Sequence, residues 1–270
     1  MFDENCRPSA GEEFCAAAIR AQLKPGEIGA EIEFHAQIDS TNNRAKQLAA
    51  QGAPHGMMVI ADSQTAGRGR FERKFHSPAS GGIYVSIILR PDMDAACAVR
   101  ITPMAAVAVA RAIKRTAGID AQIKWVNDVY VEGRKVCGIL CEGVLGEDGR
   151  MASVVLGIGV NVAPMEFPPE LSGIATSVSN ACGRSVSRIQ MLAALVEELD
   201  RLYPKLENGG FMEEYRARSN VIGRDVNVLR GGACFAARAV DIDGEGSLIV
   251  ELPDGRRETL RSGEISIRFA

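Results

Sequence analysis

Apolar positions recur along this chain with two different periods, and the changes of period mark out its elements. Residues 31–38, "EIEFHAQI", alternate as a strand. Residues 39–52, "DSTNNRAKQLAAQG", switch to helical spacing, with Ser40 or Thr41 placed to cap the helix and Gly52 placed to end it. Short apolar runs at 57–62 and 81–91 read as strands, the second closed by Pro91. A helix is expected over 103–116, with Pro103 near its start and Gly118 just past its end. Strands follow at 121–125, 128–132, 134–145 and 151–160. A long helix over 187–206 is marked by Ile189, Leu192, Leu195, Val196, Leu199 and Leu202, spaced by threes and fours, and a short one by 211–218. Residues 1–30 are weakly patterned, with some helix around 12–23 that Pro25 and two glycines stop.

After Gly223 the texture changes. Apolar and polar residues alternate between the turns "DGEG" and "PDG", as in a run of short antiparallel strands. The expected fold is therefore α+β: a mixed or antiparallel central sheet with flanking helices, plus a small C-terminal β-barrel. The boundaries predicted are an N-terminal extension over 1–30, a main domain over 31–220 and a β-domain over 221–270.

Composition narrows the function classes. The formal net charge is −3, with 46% hydrophobic and 24% charged residues. A globular protein with a real core is expected, without a global basic footprint for nucleic acid. The first residues are acidic and polar, so neither a signal peptide nor a DNA-reading helix-turn-helix is expected there. No apolar run reaches the roughly 18 residues that would span a bilayer. Seven cysteines without a Cys-x-x-Cys pair suggest reduced thiols and a cytoplasmic location. The histidines, His35, His55 and His76, suit neither a metal site nor a hydrolase triad.

Against that acidic background, one stretch stands out. "TAGRGRFERKF", residues 65–75, holds Arg68, Arg70, Arg73 and Lys74 beside Gly67 and Gly69. Arginine forks pair bidentately with carboxylate or phosphate, and glycine lets the backbone approach closely. The spacing is that of neither a P-loop nor a dinucleotide-binding fingerprint; a solvated basic loop is the simpler alternative. "DSTNN" at 39–43, with Gln64 ahead of the basic loop, offers hydroxyls and amides at a helix N-terminus, and plain capping is the simpler explanation from these residues alone. "KWVND" at 124–128 sets the single tryptophan beside Asn127 and Asp128. A hairpin turn, a magnesium ligand and an amine-orienting carboxylate all remain open there. In "GRKVCGILCEG", alternation puts Lys135, Cys137, Ile139 and Cys141 on one face, with the lysine in a cleft or at a rim, though a strand-end lysine in solvent is the simpler alternative. "VVLGIGVNV" carries strand glycines, which suggest close approach of a ligand, and ends near Asn161.

Taken in order, "DSTN", "GRGR…RK", "KWxND", "GRKxxGIL" and "GIGxNV", followed by a β-domain opening "IGRDV", resemble the biotin protein ligase family from about residue 32 to the end. The resemblance implies an SH3-like form for the C-terminal β-domain and a two-step enzyme. Biotin and MgATP give biotinyl-5′-AMP and pyrophosphate, and biotin then moves to a lysine of a biotin carboxyl carrier protein. It further implies that Ser40, Thr41, Asn42 and Gln64 line the biotin pocket, and that Arg68, Gly69, Arg70 and Lys135 meet the biotin carboxylate. Arg70, Arg73, Lys74, Phe75, Asn127 and Asn161 would serve ATP and the adenylate. Lys135, Arg70 and Asp128 would be catalytic, with Asp128 also the candidate Mg2+ ligand. The type implied lacks a DNA-binding module, is a monomer or homodimer, and has no nucleic-acid or membrane partner. A lipoate or octanoyl ligase or transferase of the same superfamily, and a biotin-adenylate-binding regulator, are the alternatives.

Four positions depart from the family pattern: Phe71 and Glu72 interrupt the basic loop, Phe75 stands where tryptophan is common, and Val126 replaces the usual proline. The chemistry still suits the residues. Adenylation brings a carboxylate to a triphosphate, and fixed cations must offset their repulsion. A closing loop would also keep water from the mixed anhydride.

Overall fold

The computed structural model describes residues 13–91, 93, 98–145, 151–261 and 265–269. Residues 1–12, the first part of the expected extension, lie outside them. The expected α+β architecture is present, as a seven-stranded sheet with helices on both faces and a separate five-stranded antiparallel sheet. The larger sheet has strand order β1-β2-β3-β7-β6-β5-β4, with β1 (Ile32–Ile38), β2 (Met58–Gln64), β3 (Gly82–Leu89), β4 (Gln122–Lys124), β5 (Asp128–Val131), β6 (Arg134–Leu145) and β7 (Met151–Asn161). Only β1 and β2 run parallel; the others pair antiparallel. The helix between β1 and β2 makes that parallel crossover possible.

The two faces of this sheet differ in residue size. Ile83, Val85, Ile87 and Leu89 of β3, with Leu156, Ile158 and Val160 of β7, join the main core beneath the helices. That face is covered by the alanine-rich helix Ile101–Ala117 and by Arg188–Leu202, which pack on each other. The opposite face carries Ser86, Gly157, Gly159 and Gly138, and it meets the helix Thr41–Ala50 through Ala45, Ala49, Val59, Ile88 and Val155. Large aliphatic side chains thus seal one face, while small residues leave a hollow in the other. Leu192 is fully buried between the covering helices. Leu192→Ala is expected to cost about 2–5 kcal/mol, measured as a lower midpoint of denaturant unfolding with little change in slope.

Among the described residues the helices are α1 (Ala16–Gln22), α2 (Thr41–Ala50), α3 (Ile101–Ala117), α4 (Pro169–Ser172), α5 (Val178–Cys182), α6 (Arg188–Leu202) and α7 (Met212–Ala217). The helix expected over 187–206 ends at Leu202, and a single 3-10 turn, Tyr203–Lys205, follows at Pro204. Proline cannot continue the α-helical ladder. The short helices α4 and α5 have too few turns to show a period and were not expected. α1 packs against α6, and Phe14 lies under the Arg188 guanidinium, 4.0 Å from the ring centre.

The C-terminal sheet has the order β11-β10-β9-β8-β12, from β8 (Asp225–Arg230), β9 (Ala233–Ile242), β10 (Leu248–Glu251), β11 (Arg257–Leu260) and β12 (Ile265–Phe269). The expected barrel is not closed among the described residues: β11 and β12 remain edges, and no pairing joins them. Local alternation marks strands but carries no information about closure. The β9–β10 turn reaches the larger sheet. Trp125 Nε1 donates to Gly246 O at 2.9 Å, and Arg100 bonds Gly244 O and Glu245.

Candidate active site

The hollow face of the large sheet becomes a cavity where β6, β7 and β3 run under the N-terminus of α2. Its floor depends on glycine. A Cβ on Gly159 would fall 2.6 Å from the Phe75 ring, and one on Gly157 would fall 2.0 Å from Asn42 Oδ1. Phe75 and Asn42 therefore lie directly on backbone.

The basic loop forms one wall. Its stems pair as a small hairpin, with a bridge between Arg68 and Lys74, and Gly69 N–H donates to Arg73 O at 2.7 Å. The Gly69 amide is thus spent on loop structure. At the tip, Phe71 and Glu72 adopt left-handed backbone, φ 56° and 58°. Both side chains are exposed, so the "FE" interruption forms the turn itself. The Arg70 guanidinium sits 4.8 Å from the Phe71 ring centre and reaches Asn127 Oδ1 at 3.5 Å. Burial pulls the Arg70 pKa down, the charge of Asp128 opposes this, and Arg73 adds to the lowering. Its ordinary value lies so high that the guanidinium remains charged.

Lys135 comes from β6, and here the structure corrects simple alternation. Val129 is opposite Cys137, yet Tyr130 is opposite Lys135, so Val136 is an extra residue. A bulge of this kind flips side-chain parity. Cys137 and Ile139 face the helix core, whereas Lys135 crosses to the cavity, its Nζ 3.2 Å from where a Gly138 Cβ would stand. Lys135 is therefore not on the face of Cys137, Ile139 and Cys141. Its ammonium pairs with Asp128 at 2.6 Å. Burial pushes the Cys137 and Cys141 thiols up, Cys141 to about 12, so neither is a thiolate near neutrality.

Six basic residues, Arg68, Arg70, Arg73, Lys74, Lys124 and Lys135, line the cavity against one acid, Asp128. In a chain of net charge −3 this concentrates positive potential in one cleft. The neutral end is built by α2. Ser40 occupies the cap position, but its side chain makes no cap hydrogen bond, and its buried Oγ has no hydrogen-bond partner. Capping therefore does not account for this serine, and its hydroxyl remains available to a ligand. Thr41 N and Oγ1 both contact Gln64 Oε1, at 2.9 and 3.1 Å. Among the described residues no group of three His, Cys, Asp or Glu side chains could hold a metal ion. Asp128 alone, already paired with Lys135, fits Mg2+ only as an ion borne largely by phosphate oxygens.

Residues 34–161 match the Biotin/lipoate A/B protein ligase family, and 221–268 match the Biotin protein ligase C terminal domain. The biotin–[acetyl-CoA-carboxylase] ligase of Paracoccus denitrificans is 34% identical over 82% of this chain and 95% of its own length. The chain belongs to the biotin protein ligase family. The bifunctional ligase/repressor BirA of Bacillus subtilis is another similar member, 38% identical over 88% of this chain and 74% of its own length. Among solved family structures, the Aquifex aeolicus biotin protein ligase in complex with biotin and ATP superposes with TM-score 0.77 at 26% identity, covering 89% of this chain and all of that one.

Every family-motif residue expected at the site lines the cavity except Asn161. Asn161 is buried at the end of β7; its amide donates to Thr176 O at 3.2 Å, and its Oδ1 has no hydrogen-bond partner. The structure also brings in Lys124, which the motif reading noted without assigning it a role, and residues that reading passed over: Tyr84 and, behind the wall, Ser86, Lys46 and Glu142. Glu142 accepts from Asn42 at 3.0 Å and from Lys46 at 2.5 Å, and it pairs with Arg68 at 3.3 Å. Burial pushes its carboxyl up, but hydrogen bonds from Lys46 and Asn42 and the charges of Lys46 and Arg68 outweigh this and hold it below its ordinary value. Its one sequence signal was a charge at a strand position sharing the parity of Gly138 and Leu140.

Proposed function

We propose that this chain is a biotin–protein ligase that activates biotin with MgATP and transfers it to a lysine of a biotin carboxyl carrier protein. The observation that carries the reading is the cavity itself. Six cations surround the place where a carboxylate and a triphosphate must meet, and a neutral polar end adjoins it. Ser40, Thr41, Asn42 and Gln64 hold the polar ring of biotin. Arg68, Arg70 and Lys135 hold its carboxylate so that an oxygen can attack the α-phosphorus as the bond to the bridging oxygen of pyrophosphate breaks. Arg73 and Lys74, at the exposed rim, hold the departing phosphates. Asp128 would hold Mg2+, which would supply charge neutralisation on the triphosphate when bound. Phe75 shields the mixed anhydride from water. In the second step the acceptor amine attacks the acyl carbon and AMP leaves, with Asn127 and Asp128 orienting the amine. Asn161 serves the nucleotide from the end of β7.

Residues 31–220 carry both steps, and 221–270 form the C-terminal β-domain; the matched span 221–268 and the separate sheet support that division. The site of action is the cytoplasm, the form is a monomer or homodimer, and no nucleic acid is required. The free thiols of Cys15, Cys137, Cys141, Cys182 and Cys234 support a reducing compartment.

The test is direct. Purified protein with labelled biotin, MgATP and a biotin carboxyl carrier protein is expected to release pyrophosphate and label one lysine. Incorporation of lipoate in place of biotin would overturn the choice of substrate. A gel shift that requires biotin and ATP would instead support a regulator, as in the bifunctional ligase/repressor of Bacillus subtilis.

A further inference from the structure

The basic loop is tied to the sheet at both of its stems, and one continuous polar network makes both ties. Beyond the loop's second stem, Ser77 Oγ donates to Phe75 O at 3.0 Å and receives Gln64 Nε2 at 2.9 Å. Gln64 Oε1 receives Thr41. Fully buried Ser86 Oγ lies 2.8 Å from Thr41 Oγ1 and 2.6 Å from Asn42 Oδ1. Asn42 Nδ2 donates to Glu142 Oε2, and Glu142 pairs with Arg68 on the first stem. The network thus runs from Phe75 to Arg68 beneath the pocket, and Glu142 is its one formal charge apart from the cations it binds.

We propose that Glu142 is a positioning residue for biotin. This rests on the ligase reading above. An asparagine amide has two orientations related by a flip, and only its NH2 end can face a carboxylate. Glu142 therefore keeps Asn42 Oδ1 turned toward Ser86 and the Gly157 floor. The same carboxylate draws Arg68 to the rim at 3.3 Å, and Lys46 holds its other oxygen at 2.5 Å so that it cannot turn away. Glu142 does not line the cavity and acts through Asn42 and Arg68. Charge-assisted contacts of this kind outweigh neutral ones, so their loss is felt where those two side chains meet ligand.

Glu142→Gln keeps the volume, removes the charge and offers an NH2 to donors that need an acceptor. Pyrophosphate release by the full chain is expected to show a biotin KM raised about tenfold, with kcat within about twofold of wild type. A merely structural role would lower the melting temperature without this split. In an Arg68→Ala background, Glu142→Gln is expected to raise the biotin KM by a smaller factor than in wild type. Should the glutamine variant fail to fold, Glu142→Asp, which keeps the charge but shortens the reach, gives the same readout. An unchanged biotin KM, or full additivity with Arg68→Ala, overturns the proposal. A wild-type protein that releases no pyrophosphate with biotin sinks the ligase reading, and this role with it, before any variant is compared.

Discussion

Lys135→Ala is expected to keep the fold and to lower pyrophosphate release with biotin about 10²–10³-fold, the usual cost of removing one preorganised group that meets developing charge. The lysine stands on a strand, and a bulge turns it into the cavity, so it needs no loop movement to reach the reacting centre. Arg68 and Arg70 belong to a hairpin that must also admit substrate. The lysine also faces Asp128 at 2.6 Å, and its removal leaves that carboxylate, the one acid in the lining, without its ion-pair partner. The lining then falls from six cations to five against the same acid, where two anionic substrates meet. Near-normal pyrophosphate release with an unchanged melting temperature would remove Lys135 from the chemistry. Lys135→Arg is not a neutral control, because a planar fork does not replace a compact ammonium at that position.

Gly157→Ala is expected to abolish measurable biotin binding by calorimetry and to lower stability by about 1–3 kcal/mol, the usual cost of overpacking a tight site. The added methyl would stand 2.0 Å from Asn42 Oδ1 and 2.8 Å from its Cγ. On an open surface such a side chain would swing aside. Asn42 is buried and held at both ends of its amide, by Ser86 and by Glu142, so it has nowhere to go without breaking both contacts. The methyl instead lifts the N-terminus of α2 from the sheet, carrying Ser40 and Thr41 with it. Retained biotin affinity in Gly157→Ala would show that α2 adjusts freely over the floor.

Much of this could be read before any coordinates. Strand β1 alternates, β2, β3 and β7 carry apolar runs bounded by turn residues, and α6 repeats its leucines at helical spacing. Each of these signals lies within one segment. What stayed hidden depends on residues far apart. The bulge at Val136 exists only because β5 lies opposite, and without it Lys135 would point at the core. Glu142 gains its meaning from Asn42, 100 positions earlier in the chain, and from Arg68 on a loop. Ser40 looked like an ordinary helix cap; only the missing cap bond shows that its hydroxyl is left for something else. Closure of the C-terminal strands is likewise a matter of which edges meet, and alternation says nothing of that.

The indole of Trp125 is the chain's only one, and it is buried with its N–H bound to Gly246 of the C-terminal sheet, two residues from Asn127 in the cavity. The protein therefore carries its own optical probe. Its emission reports from a single known point, between the seat of the C-terminal sheet and the substrate site. Lifting that sheet wets the indole and shifts emission to the red, while filling the cavity perturbs the same ring from the other side. One fluorescence trace can thus follow, without any label, whether substrate loading loosens or tightens the grip between the two sheets.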